Sequence, residues 1–195
     1  HDPDRFLCAL FAPAARREAL FALIAFNHEL ARAREAAANP IAALIRLQWW
    51  REAVAEAAAG RPARRHEVAA PLHAAIVSGA LSAADLAGLV DAREIEAEED
   101  GIPTRESFGA WLRASAGGLA VATGRLLGAP EAALPRLQQL GALYGLAGVL
   151  RSVAAHAAQG RCLLPRAALA EAGLAAEAVI ADPRRAAPLV CALAE

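Results

Sequence analysis

The chain has 195 residues, 57% of them apolar but only 5% aromatic, and alanine makes up more than a quarter of it. Alanine has the highest helix propensity and loses no side-chain entropy, so this composition predicts helices packed through small side chains and argues against a β-sandwich or barrel. Lys+Arg 20 against Asp+Glu 21 gives a net charge of −1, with every basic residue an arginine, and a chain without a broad positive field is not expected to bind nucleic acid.

An Ala- and Arg-rich, Lys-free chain is also what a GC-rich genome yields, so no function is drawn from it. Cys8, Cys162 and Cys191 are far apart and form no CxxC pair, which suggests neither a disulfide framework nor a zinc site and makes a reducing compartment the default. The longest uncharged stretch, residues 68–84, carries Pro71, His73 and Gly79 and does not read as a membrane span. A chain opening at His1 reads as trimmed or processed.

Pro13 opens a helix whose apolar residues Leu20, Leu23, Ile24, Phe26 and Leu30 recur at helical spacing to about Ala38. Asn39-Pro40 reads as an N-cap with proline at the first helical position, starting a second helix through Leu47, Trp50 and Val54 that ends at Gly60-Arg61-Pro62. A weaker helical stretch from near Val68 to Ser78 stops at Gly79. Ser82-Ala-Ala-Asp85 resembles a capping box and leads a helix to about Asp100. Thr104 is a plausible N-cap for a long helix to Leu127, in which Gly117-Gly118 predicts a kink or a close backbone approach. A further helix is expected from Leu134 or Arg136 to Ala157, then a loop over 160–165 and shorter helices on either side of Gly173 and Asp182-Pro183. No strand pattern, solenoid period or linker appears, so residues 1–195 read as one all-α domain.

The chemical inventory is thin: there is no glycine-rich phosphate loop, HExxH or GxSxG. The acidic run Asp91, Glu94, Glu96, Glu98, Glu99 and Asp100 puts Glu94 and Glu98 at i, i+4, where a hard cation could bind. Arg93 lies among these charges, and charge runs usually face water, so a solvated helix end is the expectation. Arg61, Arg64, Arg65 and His66 are likewise expected to form an exposed loop.

Four stretches read together are more specific. Ala14-Ala-Arg-Arg-Glu-Ala-Leu-Phe-Ala-Leu-Ile-Ala-Phe26, Leu47-Gln-Trp-Trp-Arg51, Ala116-Gly-Gly-Leu119, and Leu150-Arg151 with Gly160-Arg-Cys-Leu-Leu-Pro165 resemble the squalene/phytoene synthase family in order and spacing. The resemblance implies an all-helical isoprenoid-synthase bundle around a central cavity. Family members usually continue with further helices, so it also implies a chain that is C-terminally incomplete. Active members join two prenyl diphosphates head to head, with two aspartate-rich motifs on facing helices holding Mg²⁺ against the diphosphate.

Carried over residue by residue, the first motif's acids fall on Ala31, Arg32 and Glu35, of which only Glu35 can ligate a cation. The second motif's acids, after the matching Arg151, fall on Ser152, Ala155 and His156, and Gly145 and Gly148 stand where the family often has Gln and Asn. Both motifs are therefore degenerate, and neither a catalytic residue, a metal site nor a cofactor is expected. Mg²⁺ enters only if the chain is an enzyme after all.

Ala25-Phe-Asn-His-Glu-Leu-Ala31, Arg46-Leu-Gln-Trp-Trp50, Asp91-Ala-Arg-Glu94 and Leu150-Arg151-Ser152 resemble the branch of mitochondrial complex I assembly factors and their bacterial relatives. That resemblance implies a non-catalytic protein acting by binding or assembly in respiratory complex I biogenesis, with a protein partner. The implied location is cytoplasmic, with peripheral contact at the inner membrane left open. Two alternatives stay open: a head-to-head prenyltransferase with an altered metal site, and an isoprenoid or lipid carrier. His28, Glu35, Arg151 and His156 form a candidate polar remnant of the cavity, His28 and Glu35 being seven apart and so nearly on one helix face.

Overall fold

The structure, a computed structural model, describes residues 3–98 and 101–195, and within them every regular element is helical. α1 (Pro3–Leu10) precedes α2 (Ala14–Arg32) and α3 (Pro40–Ala58). α4 (Ala69–Val77), α5 (Ala83–Asp91) and α6 (Arg105–Leu112) follow. A π-turn, Arg113–Gly117, joins α6 to α7 (Gly118–Leu126), and α8 (Leu134–Arg151) is the last long helix. The chain ends in short helices: α9 (Val153–Ala158), α10 (Arg166–Glu171), α11 (Ala176–Ala181) and α12 (Ala187–Ala194).

The helix starts follow from local chemistry. Asn39 caps α3 by accepting from Ala42 N at 2.9 Å, Ser82 caps α5 through Asp85 N at 3.3 Å, and Thr104 caps α6 through Ser107 N at 3.1 Å. Gly79, at φ 74, supplies the left-handed residue just past α4 that a side chain would resist.

The main core lies among α2, α3, α4, α5 and α7, where Leu23, Phe26, Leu47, Leu72, Leu86 and Val90 are almost wholly buried. Each such side chain contributes at most about 1.5–3 kcal/mol of transfer free energy. A second cluster, with Ile102, Phe108, Trp111, Leu112 and Val149, sits between α6 and α8; a third, around Leu164, Leu169 and Val179, holds the short C-terminal helices.

α8 packs on the π-turn at backbone distance. A Cβ on Gly117 would lie 2.7 Å from the Gln138 carbonyl oxygen, and one on Gly141 would lie 2.6 Å from that of Ala116. The close approach expected at Gly117-Gly118 is therefore present, and the helix accommodates it by widening into a π-turn.

Several expected boundaries shift. α1 is not among the expected helices, although in sequence Asp2-Pro3 is a start signal of the same kind as Asn39-Pro40 and Asp4 stands in its first turn. α2 ends at Arg32 instead of near Ala38, since Ala33 N turns to Leu30 O and no large apolar side chain follows to hold another turn. Glu35 therefore leaves the helix that carries His28. α5 ends at Asp91, not near Asp100, and the chain continues as the 3-10 turn Glu94–Ala97 with Glu98 extended, so Glu94 and Glu98 do not share an α-helical face. Glu99 and Asp100 lie outside the described residues. The helix expected to reach Ala157 breaks at Ser152, whose N–H bonds to both Gly148 O and Val149 O.

Candidate functional site

A cavity of about 350 Å³ opens between the end of α2, the 3-10 turn, the π-turn and the α8–α9 junction. Its polar wall comprises Glu35, Arg93, Glu96, Ser152, His156 and Arg161. Glu96 organises it. Its Oε1 accepts from Arg93 Nη1 at 2.7 Å and Trp111 Nε1 at 3.1 Å, while Oε2 takes Arg161 Nη2 at 3.4 Å. Arg93 also donates to Asn27 Oδ1 at 3.2 Å, tying the network to α2. The Glu96 side chain is 6% exposed and those of Arg93 and Arg161 are 14% and 11%. Charges so buried need such partners, because desolvation otherwise outweighs what they gain.

Two guanidinium groups thus share one buried carboxylate. The Arg161 guanidinium has five N–H donors and, among the described residues, makes one hydrogen bond, the long one to Glu96. Its side chain lines the cavity. His156 lies beside it; burial, with Arg161 adding to it, holds its imidazole below the usual histidine range against the opposing pull of Glu96 and Glu35. The ring is therefore neutral near pH 7 and offers one N–H.

A larger cavity of about 930 Å³ adjoins the first, lined by apolar side chains of the α1–α2 turn, α2, α7 and α8 such as Phe11, Leu20, Ile24, Leu119 and Leu140. Arg5, Ala116 and Tyr144 belong to both walls, and Arg5 Cζ lies 5.5 Å from the centre of the Tyr144 ring. The apolar cavity is an open cleft: Phe11 is 91% and Tyr144 59% exposed. No described helix is long and apolar enough to cross a membrane.

The residues singled out in the sequence separate. Ala31, Glu35, Ser152 and His156 line the polar cavity. His28 and Arg32 instead line a different cleft, beside Phe6 and Phe21 under α1. Arg151 and Ala155 are exposed and line no cavity described here. His28 and His156 therefore line separate clefts and are not grouped in one site. Among the described residues no three His, Cys, Asp or Glu side chains come together as a metal-binding group. This donor set does not fit a Mg²⁺ cluster: the buried acid, Glu96, is already occupied by two arginines and an indole.

The acidic run is only partly a solvated end. Arg51 holds Asp91 at 2.6 Å and Glu94 at 2.6 Å, on half-exposed side chains, while Glu96 is buried. The basic segment is likewise only partly an exposed loop. Arg64 donates to Glu56 Oε2 at 2.6 Å and Glu52 Oε2 at 3.0 Å, and its Cζ stands 4.9 Å from the centre of the Trp49 ring. His66 packs on Trp49 and Trp50 at 5.3 and 5.2 Å. These pairings clasp Arg64 and His66 onto α3, while Arg61 and Arg65 are exposed.

Sequence reasoning missed the Arg93–Glu96–Arg161 network. The available signals were Arg93 and Glu96 at i, i+3 and an indole N–H at Trp111 needing an acceptor, but the partner Arg161 is 65 residues away from Glu96.

The sequence profile of the family described as squalene/phytoene synthase matches residues 1–195. The chain belongs to this family. The fold agrees: a dehydrosqualene synthase in complex with ligand superposes with a TM-score of 0.76 at 17% identity, covering 97% of this chain and 66% of that one. Squalene synthase HpnC from Alicyclobacillus acidocaldarius superposes with a TM-score of 0.77 at 20% identity, over 100% of this chain and 74% of that one. The isoprenoid-synthase fold read from the motifs is thus the fold observed. Among curated squalene/phytoene synthase-like relatives, NADH dehydrogenase (ubiquinone) complex I, assembly factor 6 of Homo sapiens is 27% identical over 165 residues, 84% of this chain and 49% of the relative. That of Mus musculus is 25% identical over 177 residues, 90% and 53% respectively. The chain spans about half the length of these curated relatives.

Proposed function

We propose that this chain is a non-catalytic member of the squalene/phytoene synthase family that acts by binding or assembly, in the biogenesis of respiratory complex I. The carrying observation is that the cavity wall where Mg²⁺ ligands are required presents Ala31, Ser152 and His156, keeps Glu35 as the single acid of the two motifs, and has its buried carboxylate, Glu96, sequestered by Arg93 and Arg161. Without a carboxylate cluster no Mg²⁺ cluster can be held against a departing diphosphate, and head-to-head condensation lacks that electrostatic support. The assembly role is supported by likeness to proteins named complex I assembly factor 6 and rests on that likeness, since fold alone does not specify function. It implies a protein partner, and a location in the cytoplasm or peripheral to the inner membrane.

The prenyltransferase reading would need Glu35 and the 91–100 acids as substitute ligands. Asp91 and Glu94 are held by Arg51 at the surface, which disfavours it. A ligand-binding role has its own support in the adjoining polar and apolar cavities. Incubation with farnesyl or geranylgeranyl diphosphate, Mg²⁺ and NADPH is expected to give no C30 or C40 product, and turnover would overturn the proposal. Deleting the gene is expected to lower assembled complex I while isoprenoid profiles stay unchanged; the reverse pattern would favour the enzyme.

A further inference from the structure

The polar cavity inverts the chemistry expected of a metal site. At Ser152 and His156 its wall offers hydrogen-bond donors, and Arg161 adds a guanidinium. Among the described residues neither the Ser152 hydroxyl nor the His156 ring makes a side-chain hydrogen bond, and most of Arg161's donors are unfilled. In the buried network two positive charges face one negative charge, and Arg5 and Glu35, which line the same cavity, are of opposite sign, leaving an excess of one. A buried excess charge is compensated most effectively by a single counter-charge held in charge-assisted hydrogen bonds. A diphosphate, with about three charges in a site lacking metal ions, would be overcompensated. A carboxylate matches.

The second observation is the continuity of this head site with an apolar cleft. The 930 Å³ cavity begins at Ala116 and Tyr144, which also border the polar one. Its size lies within the roughly 300–1,000 Å³ typical of small-molecule sites, and its exposed apolar walls at Phe11, Leu140 and Tyr144 gain by being covered. Gly148 leaves open space where a side chain would narrow the polar end: a Cβ there would meet nothing within 4 Å.

We propose that the chain binds a single-chain carboxylate amphiphile without a metal ion, the carboxylate at Arg161, His156 and Ser152 and the chain running past Ala116 and Tyr144 into the apolar cleft. This rests on the binding role proposed above and names its ligand class.

The test is titration calorimetry in EDTA, below micelle-forming concentrations, with dodecanoate, dodecyltrimethylammonium and farnesyl diphosphate. Dodecanoate is expected to bind one per chain, and the ammonium amphiphile of the same chain length at least about tenfold more weakly, the share of a charge-assisted hydrogen bond. Arg161→Gln is expected to weaken dodecanoate by about tenfold and leave the ammonium amphiphile unchanged. Should Arg161→Gln fail to fold by circular dichroism, the Ser152→Ala/His156→Phe pair must still weaken dodecanoate severalfold, and Thr123→Trp must weaken both amphiphiles by filling the tail cleft. Equal affinity for the two head groups, insensitivity to these variants, or binding that prefers the diphosphate and requires Mg²⁺ overturns the proposal. Product formation decides the non-catalytic reading and a flat dodecanoate titration decides this one, so the two fail separately.

Discussion

Glu96 and Arg93 form a 2.7 Å ion pair in which the carboxylate is 6% and the guanidinium 14% exposed, on a 3-10 turn of an element whose neighbouring acids face solvent. With Arg161 on the far side, the pair spans from the α5–α6 connection to the loop after α9. Removing the acid strands two buried arginines. Glu96→Ala is expected to destabilise the fold by about 3 kcal/mol, the cost of breaking a buried pair from one side, read as a lower urea midpoint with an unchanged m-value. A loss under about 1 kcal/mol would mean that water reaches the arginines freely.

Gly141 and Gly148 lie on the same helix and are expected to respond oppositely to the same change. A Cβ on Gly141 meets the Ala116 carbonyl oxygen at 2.6 Å, whereas one on Gly148 meets nothing. Gly141→Ala should cost about 1–3 kcal/mol through overpacking against backbone. Gly148→Ala should stabilise by about 0.5–1 kcal/mol through helix propensity. Thermal melts of the two variants check the sign of each.

Arg64 hydrogen-bonds Glu56 and Glu52 and thereby holds both carboxyls below the ordinary glutamate range. A depressed folded-state pKa adds stability that is complete above the unfolded value, about 4.3, and is lost as pH falls through the folded value. The chain is therefore expected to weaken progressively below about pH 4.5. In Arg64→Gln that acid slope becomes shallower; both side chains are solvent-facing, so high salt also flattens it. Denaturation midpoints followed from pH 6 to pH 3 in both proteins decide the point.

His156 is held below the usual histidine range chiefly by burial. The sign is the same as for the acids: the neutral ring is compatible with the fold above about pH 6.5, and stability drains as pH falls through the depressed value. His156→Phe should remove the part of the pH dependence lying between about 6.5 and the acid limb set by Glu52 and Glu56. An NMR titration of the His156 ring should show a midpoint below that of an exposed histidine.

Millimolar Mg²⁺ is expected to move neither the His28 nor the His156 ring resonances, since His28 and His156 line separate clefts and no described trio of ligating side chains surrounds either. A saturable shift of either resonance would show that a cation site forms in spite of this donor set.

Much of the helical frame was legible in the sequence because its causes are local. Asn39-Pro40, Ser82 and Thr104 satisfy orphan N–H groups within three residues of themselves, and Gly79 supplies a left-handed turn, so capping chemistry alone located α3, α4, α5 and α6. Gly117-Gly118 announced a close approach because two glycines in a helix interior cost too much to stand there without one. The motif order identified the family for the same reason: it is a property of the chain read in one dimension. What tertiary structure decided is which side chains meet. Only folding brings Arg161 to Glu96, ends α2 at Arg32 so that Glu35 parts from His28, and folds Arg64 onto Trp49. Such partnerships depend on burial and on charges far apart in the chain, and the low dielectric that gives them their energy exists only once the helices have packed.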